Sequence, residues 1–372
     1  MKELKLLIVE DDPNVIATYK REIESYNKTN EGLYIQETIC SDKDQALDIL
    51  KNSDNIFDGA VIDLDLKQSG GSDNSGNDVI KEIKGNLRFP IFVISGTSHN
   101  LDSSLREETS FFRVIDRGDN FNFIEEFVAI YNTGITEILN RRGVIEGYIN
   151  NIFWKHISTS MDVWIHDSLR SPEEKQKSLL RYTLLHIQEY LELTEESDFE
   201  DYHPAEIYIT PPVKPNVFTG DIVTEIQTGN RYIVLTPSCD LANFGKTETV
   251  LLVQIQNKNI GEINRLKTII NNPEESAGNK KSAEKELKKL ISNSKSGKFH
   301  FLPDYKDIEA GLINFQLLKS VRKDSISVDF SRIASVNSTF IKDIVARFSY
   351  YYSRQGSPDF DVEEIYSSVV ND

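Results

Sequence analysis

Cysteine is almost missing from this chain. Cys40 and Cys239 are the only two in 372 residues, and neither sits in a CxxC or any other metal-ligand spacing. A disulfide framework is thereby excluded, and a reducing compartment is expected. Long apolar runs are missing too: none reaches the length that crosses a bilayer, and the chain begins with a charged strand rather than an apolar leader. The expectation is a cytoplasmic protein with no membrane partner. Positive charge is short, with 42 Lys and Arg against 59 Asp and Glu and a formal charge of −17. That balance disfavours nonspecific attraction to nucleic acid or anionic lipid, and no helix-turn-helix is recognisable. A hydrophobic fraction of 39% is enough for packed cores. The length is too great for one ordinary domain, so two or three are expected.

Against these absences one stretch stands out, Gly59-Ala-Val-Ile-Asp63-Leu-Asp-Leu66, an apolar run that ends on two acids one residue apart. A short apolar run between polar loops predicts a buried parallel strand, and in an open α/β sheet ligands gather beyond the carboxyl ends of such strands. Leu4 to Val9 predicts another strand, running into Glu10-Asp11-Asp12-Pro13. If the two strands are neighbours, Glu10, Asp11 and Asp63 converge. Carboxylates crowded in this way repel unless a hard divalent cation lies among them, and a site of few carboxylates completed by water suits magnesium.

These residues carry a resemblance. The N-terminal third resembles the receiver domain of two-component response regulators, which has an acidic pair after strand one, a phospho-accepting Asp after strand three, a Ser or Thr after strand four and a Lys after strand five. Glu10 and Asp11 match the pair, Asp63 the acceptor, and Asp65 the position whose backbone carbonyl helps hold the metal. Ile91-Phe-Val-Ile94-Ser95-Gly96-Thr97 places Ser95 at the hydroxyl switch position. Strand five departs: in Phe111 to Gly118 the family's Lys is replaced by Arg117, or by Asp116 if the register slips by one. Lys is a compact point charge and Arg a planar fork, so the exchange has consequences. The loop Lys67 to Gly76 is also longer than the usual turn and lacks its Pro. The resemblance implies a doubly wound, flavodoxin-like α/β domain, phosphorylation of Asp63 with magnesium, and a histidine-kinase-like ATPase or another protein as partner.

Periodicity organises the rest. Helices are expected at Asn14 to Tyr26, Asp42 to Leu50, Asp78 to Lys84 and Phe121 to Tyr131, with weak helicity at Asn100 to Glu108, which closes a receiver-like domain at residues 1–132. Residues 133–200 are expected to be a helical connector: one long amphipathic helix carrying Ile138 to Trp164, with Trp154 and Trp164 in its core face, then a helix started by Ser171-Pro-Glu-Glu174. Such a connector exposes apolar faces that a homodimer or the neighbouring domain would cover. An acidic linker is expected from Glu196 to Tyr202. Residues 201–372 are expected to be a β-rich domain, a small SH3-like barrel of short strands, one of them Asp324 to Val328, interrupted at 261–297 by a projecting helical insertion and closed by a helix from Ser338 to Tyr352 and a tail from Ser357. On that last helix Arg347 to Arg354 mixes cations with aromatics, as single-strand nucleic-acid binders do, and a helix packing its aromatic face on the barrel explains the cluster at least as well.

A second candidate site lies in this domain. Thr236-Pro-Ser-Cys239-Asp240-Leu241 follows a predicted strand, and with His300 it writes a Cys, His, Asp nucleophile arrangement. The plainer expectation is a tight turn whose Cys239 is a small buried hydrophobe, unreactive in the folded protein, and whose Asp240 caps local amides. Phe218-Thr-Gly220-Asp-Ile-Val223 with Tyr232 to Thr236 is loosely similar to MazF-type toxin ribonucleases, without their Arg-Pro before the second strand. The expected function is a signalling response regulator with a protein-binding C-terminal domain and no catalysis beyond phospho-acceptance. The alternative is a receiver-regulated nuclease or hydrolase.

Overall fold

Apolar strands alternate with amphipathic helices through the first third of the chain, and the computed structural model shows what they build. It describes residues 2–52, 56–66, 74–192, 201–243, 246–354 and 359–371. The chain divides into two units, Met1–Phe199 and Glu200–Asp372. No described helix is long and apolar enough to cross a membrane.

Unit 1 is built on β1 (Lys2–Val9), β2 (Leu33–Cys40), β3 (Gly59–Ile62), β4 (Ile91–Ser95) and β5 (Phe112–Asp116). All pair in parallel, in the order β2-β1-β3-β4-β5. This is the flavodoxin-like doubly wound order, with its switch point between β1 and β3. The central strands β3 and β4 are buried at every position, as strands covered on both faces must be. Helices α1 (Pro13–Thr29) and α4 (Phe123–Tyr131) cover one face through Tyr19, Ile23, Phe123 and Phe127. Helices α2 (Lys43–Lys51) and α3 (Gly76–Asn86) cover the other through Ala46, Leu50, Val79 and Ile83. Asp12 caps α1 by accepting from the Asn14 amide, and Pro13 opens it. The expected helix at 100–108 is instead two 3₁₀ turns, Ser98–Asn100 and Ser103–Leu105, which bury Leu101 and Leu105. The long loop after β3 lies mostly outside the described residues.

The predicted connector falls within unit 1, and its first half corrects the expectation of one long helix. It is broken into α5 (Ile135–Leu139), α6 (Val144–Ile152), a π turn at Phe153–Ile157, a 3₁₀ turn at Ser158–Ser160 and α7 (Met161–Ile165). The first break is at Gly143, where a Cβ would lie 2.2 Å from the Glu137 carbonyl oxygen, a close approach that only glycine allows. Helix α8 (Pro172–Leu191) has the expected capping box between Ser171 and Glu174. It packs on α6 and the π turn through Tyr190, which meets Tyr148 at 6.0 Å and the His156 Nε2 at 2.9 Å. Trp164 does meet Tyr182, with tilted rings at 6.1 Å, but Trp154 is 70% exposed and is not core. Most of the expected linker at 196–202 lies outside the described residues.

Unit 2 is an antiparallel sheet of seven strands. They are β6 (Tyr208–Ile209), β7 (Asp221–Glu225), β8 (Arg231–Val234), β9 (Thr249–Asn257), β10 (Phe299–Leu302), β11 (Gly311–Arg322) and β12 (Phe330–Val336), in the order β10-β11-β9-β8-β7-β12-β6. The expected small barrel is thus a larger curled sheet with two edge strands. Curling brings the edges near each other: Tyr208 on β6 donates to the Pro303 carbonyl just past β10 at 2.6 Å and stacks on Tyr305. Asp324 to Val328 is not a strand but a 3₁₀ turn at Lys323–Ser325 running into α12 (Ile326–Asp329), and the strand begins one residue later. Of its alternating pattern only Ile326 is buried, while Val328 stays exposed, so alternation there reflects a single anchor. Between β8 and β9 lies α9 (Ser238–Ala242).

The insertion is α10 (Gly261–Asn271) and α11 (Ala277–Ile291). It does not project freely; Ile263, Leu266, Ala283 and Leu290 form a small core with Leu312 of the sheet, flanked by Phe299 and Phe301. Helix α13 (Ser338–Ser353) packs Ile344, Phe348 and Tyr351 into the main core, as its aromatic face led one to expect. The expected tail contains a further helix, α14 (Val362–Val370).

Candidate functional site

Strand order creates the site. Because β1 and β3 are direct neighbours in register, the residues after Val9 and Ile62 leave the sheet side by side, at its switch point. The Asp63 amide donates to the Val9 carbonyl at 2.9 Å and the Glu10 amide to the Cys40 carbonyl at 3.0 Å, so both backbones are held as extensions of the sheet. Glu10, Asp11 and Asp63 converge, each offering a carboxylate oxygen within 4.8 Å of the others. Glu10 and Asp63 are buried, at 1% and 5% exposure.

Such crowding has an electrostatic cost. Burial pushes the Glu10 carboxyl up to about 7; the Asp12 amide donating to it and the Arg117 charge oppose the shift, while Asp63 and Asp11 reinforce it. Arg117 supplies the compensation. It follows β5, and its Nη2 lies 2.7 Å from Glu10 Oε2 and 2.8 Å from Asp63 Oδ2. Its backbone is fixed by donating to the Ser95 carbonyl at 3.0 Å. Sequence register left Arg117 and Asp116 as alternatives, and the structure brings Arg117 to the acids. Asp116 instead accepts from the Ser98 hydroxyl.

Only one of the Asp63 oxygens is engaged by Arg117. Asp63 Oδ1 is buried with no hydrogen-bond partner. An orphaned anionic oxygen costs desolvation energy, so its presence beside two further carboxylates fits a divalent cation or an electrophile that engages it. The donor set is all oxygen and anionic, which suits a hard cation. Ser95 is fully buried at the end of β4, its Oγ 3.1 Å from Thr97 Oγ1 and accepting from the Thr97 amide at 3.2 Å. Asp65 is half-buried two residues past Asp63, and its carboxylate is outside the close cluster.

Two participants were missed by sequence reading. Gly76, the first residue of α3, packs so closely on the turn after β3 that a Cβ would lie 2.2 Å from the Asp63 carbonyl oxygen and 2.7 Å from Leu64 Cα. Tyr19 on α1 meets Phe123 edge-on at 5.3 Å, and burial and then Glu10 push its phenol upward. Beside it, Tyr19, Glu22, Arg117 and Phe121 line an open cavity of about 450 Å³ between α1 and the turn after β5. A glycine within a polar loop and a tyrosine at a helical apolar position carry no local signal of this role.

The Cys239 arrangement is not assembled. Cys239 lies on α9, exposed, with Sγ 3.5 Å from Asp240 Oδ1, which corrects the expectation of a buried thiol. His300 is on β10, three strand positions from β8, and is buried against α13. Its Nδ1 is 3.5 Å from Asp343 Oδ2, yet burial and then Arg347 depress its pKa to about 4, so near neutral pH this is a neutral imidazole beside a carboxylate. Among the described residues no hydrogen bond or ion pair joins His300 to Cys239 or Asp240.

No protein-family profile matches the sequence, and no curated protein does. Solved receiver structures do match over roughly the first third. A CheY-like response regulator receiver domain protein from Methanospirillum hungatei JF-1 is 17% identical, with 36% of this chain and 100% of that chain covered and a TM-score of 0.26. The phosphorylated cyanobacterial phytochrome response regulator RcpA is 20% identical over 38% of this chain and 97% of that one, with a TM-score of 0.24. The Mn(2+)-bound form of response regulator Rcp1 is 18% identical over 35% and 91%, also at 0.24. At such scores these likenesses carry no argument, and the reading of unit 1 rests on its own sheet order and site.

Proposed function

We propose that unit 1 is a signal-receiving module in which Asp63 accepts a phosphoryl group at a magnesium site formed by Glu10, Asp11 and Asp63 with the Asp65 carbonyl, and that unit 2 is the protein-binding effector. The observation that carries this reading is Asp63 itself: a buried carboxylate at the sheet's switch point with one oxygen held by Arg117 and the other unpartnered. Oδ1 is the oxygen free to attack. Attack forms the Oδ1–P bond as the donor's bond to phosphorus breaks, P–N in a phosphohistidine or P–O in acetyl phosphate; the electron pair leaves with the imidazole, which takes a proton from solvent, or with acetate, which needs none. The added charge of about −1.5 to −2 would be met by a cation held by Glu10, Asp11 and Asp63 and by Arg117, and Ser95, at the end of β4, would bond a phosphoryl oxygen. The cation supplies charge neutralisation between carboxylates and phosphoryl oxygens.

The phosphodonor we infer is a histidine-kinase-like ATPase of the cytoplasm. A second partner is another copy of this chain. Helix α8 has no buried residue, and Leu180, Leu184 and Leu191 are 60%, 55% and 61% exposed along one stripe.

The phosphoryl reading is tested by intact mass. With magnesium and a small-molecule phosphodonor such as acetyl phosphate, the protein gains one phosphoryl group, and Asp63→Asn gains none. Equal labelling of the two proteins would remove Asp63 from the acceptor role.

A further inference from the structure

Helix α14 has no buried residue, although Val362, Ile365, Tyr366, Val369 and Val370 recur at threes and fours on one face. Nine residues form too few hydrogen bonds to hold a helix in water without tertiary support. Its apolar face therefore needs a cover. In the same unit, a groove of about 800 Å³ runs between α13 and the β6–β12 edge, lined by Ile209, Val213, Ile341 and Val345, with Lys214 and Lys342 on its rim. Ile209 and Val213 are exposed there. Neither lysine makes an ion pair among the described residues, and neither do Asp359, Asp361, Glu363 and Glu364 around the start of α14.

We propose that this groove is the docking site of the chain's own α14, with its apolar face on Ile209, Val213, Ile341 and Val345 and its acids toward Lys214 and Lys342. Reach permits it. From Ser353 back to Lys342 is about 16 Å along the α13 axis, and the residues between α13 and α14, 354–361, span up to about 26 Å when extended. A tether this short gives an effective concentration of about millimolar, which favours the chain's own helix over a second copy's. Apolar complementarity supplies the affinity and the charges set the orientation. A docked α14 closes the groove, so any outside ligand of this face must displace it.

Hydrogen exchange on the full-length protein tests this, with residues 362–370 and the groove segment 213–217 as readouts. In the wild type, both exchange about tenfold or more slower than unstructured chain, at a rate independent of protein concentration. Val345→Asp in the groove and Ile365→Asp on the apolar face of α14 each remove protection from both segments. Lys342→Glu weakens it, and adding Glu363→Lys restores it. Free exchange of 362–370 in the wild type, or protection unchanged in both Asp variants, overturns the proposal. Protection that grows with protein concentration also overturns it, by assigning the groove to a second copy.

Discussion

At the scale of single residues, the candidate site is set by close approach as much as by charge. The α3 backbone at Gly76 lies against the Asp63 carbonyl and Leu64, and a methyl there would meet main-chain atoms that no rotamer change can move aside. Gly76→Ala is therefore expected to destabilise unit 1 by about 2 to 4 kcal/mol, and to displace the acceptor turn. Denaturant midpoints measure the first effect. Phosphoryl labelling of the folded variant measures the second, with a drop of about tenfold expected for a misplaced nucleophile. Wild-type values for both would mean that the turn is freer than its packing implies. The acids Glu10, Asp11 and Asp63 were legible because they sit at strand ends in a chain with few other clustered motifs. Arg117 was legible only as one of two registers, since the strand's apolar pattern ends ambiguously at Ile115-Asp116-Arg117.

At the scale of elements, α8 carries the sharpest open surface in unit 1. Its capping box and apolar spacing were readable, because both are local, whereas the face it leaves uncovered depends on where α6 packs. Each leucine buried at a two-fold interface counts twice, at about 2 kcal/mol per side chain. Leu184→Glu is thus expected to weaken a homodimer by at least about 100-fold. Light scattering over a concentration series checks this. A wild type that stays monomeric at high concentration, with the variant indistinguishable from it, would dismiss the pairing. Unlike α8, the segment before it misled. Apolar residues at threes and fours from Ile138 to Trp164 satisfy one continuous helix on paper, but the close approach at Gly143 and the π turn at Phe153–Ile157 redirect the chain.

For the whole molecule, the two units are expected to respond to acid in opposite directions. Glu10 keeps its proton in the folded protein up to about 7 against an ordinary 4.5, so its contribution to stability is present below 4.5 and is lost as pH rises through 7. His300 stays neutral in the folded protein down to about 4 against an ordinary 6.5, so stability is lost as pH falls from 6.5 toward 4. Each effect is at most about 3 kcal/mol. Burial raises Glu22 and Asp58 in unit 1, adding to the first trend. In a chelating buffer, acidification from pH 7.5 to 5 is expected to raise the melting temperature of unit 1 and lower that of unit 2. Glu10→Gln flattens the first response and His300→Leu the second. Calorimetry in which both transitions fall together, with neither variant altering its slope, would refute the assignment.

What the amino-acid sequence determined by itself was everything written in short-range pattern: the parallel strands, the acids at their ends, the α8 cap, the turn from sheet-and-helix alternation to a β-rich half. What only the tertiary structure decided was whatever depends on residues far apart in the chain. Arg117 reaches Glu10 across 107 residues. Tyr208 reaches Pro303 across 95 and makes a curled sheet of what strand lengths alone suggested was a small barrel. Cys239 and His300, which one could write into one site, are held apart by the order in which β8, β9, β11 and β10 pair. Periodicity reports which face of an element is buried; it carries no information on what that face is buried against. Strand order and close packing are settled by long-range contacts, and those exist only once the chain has folded.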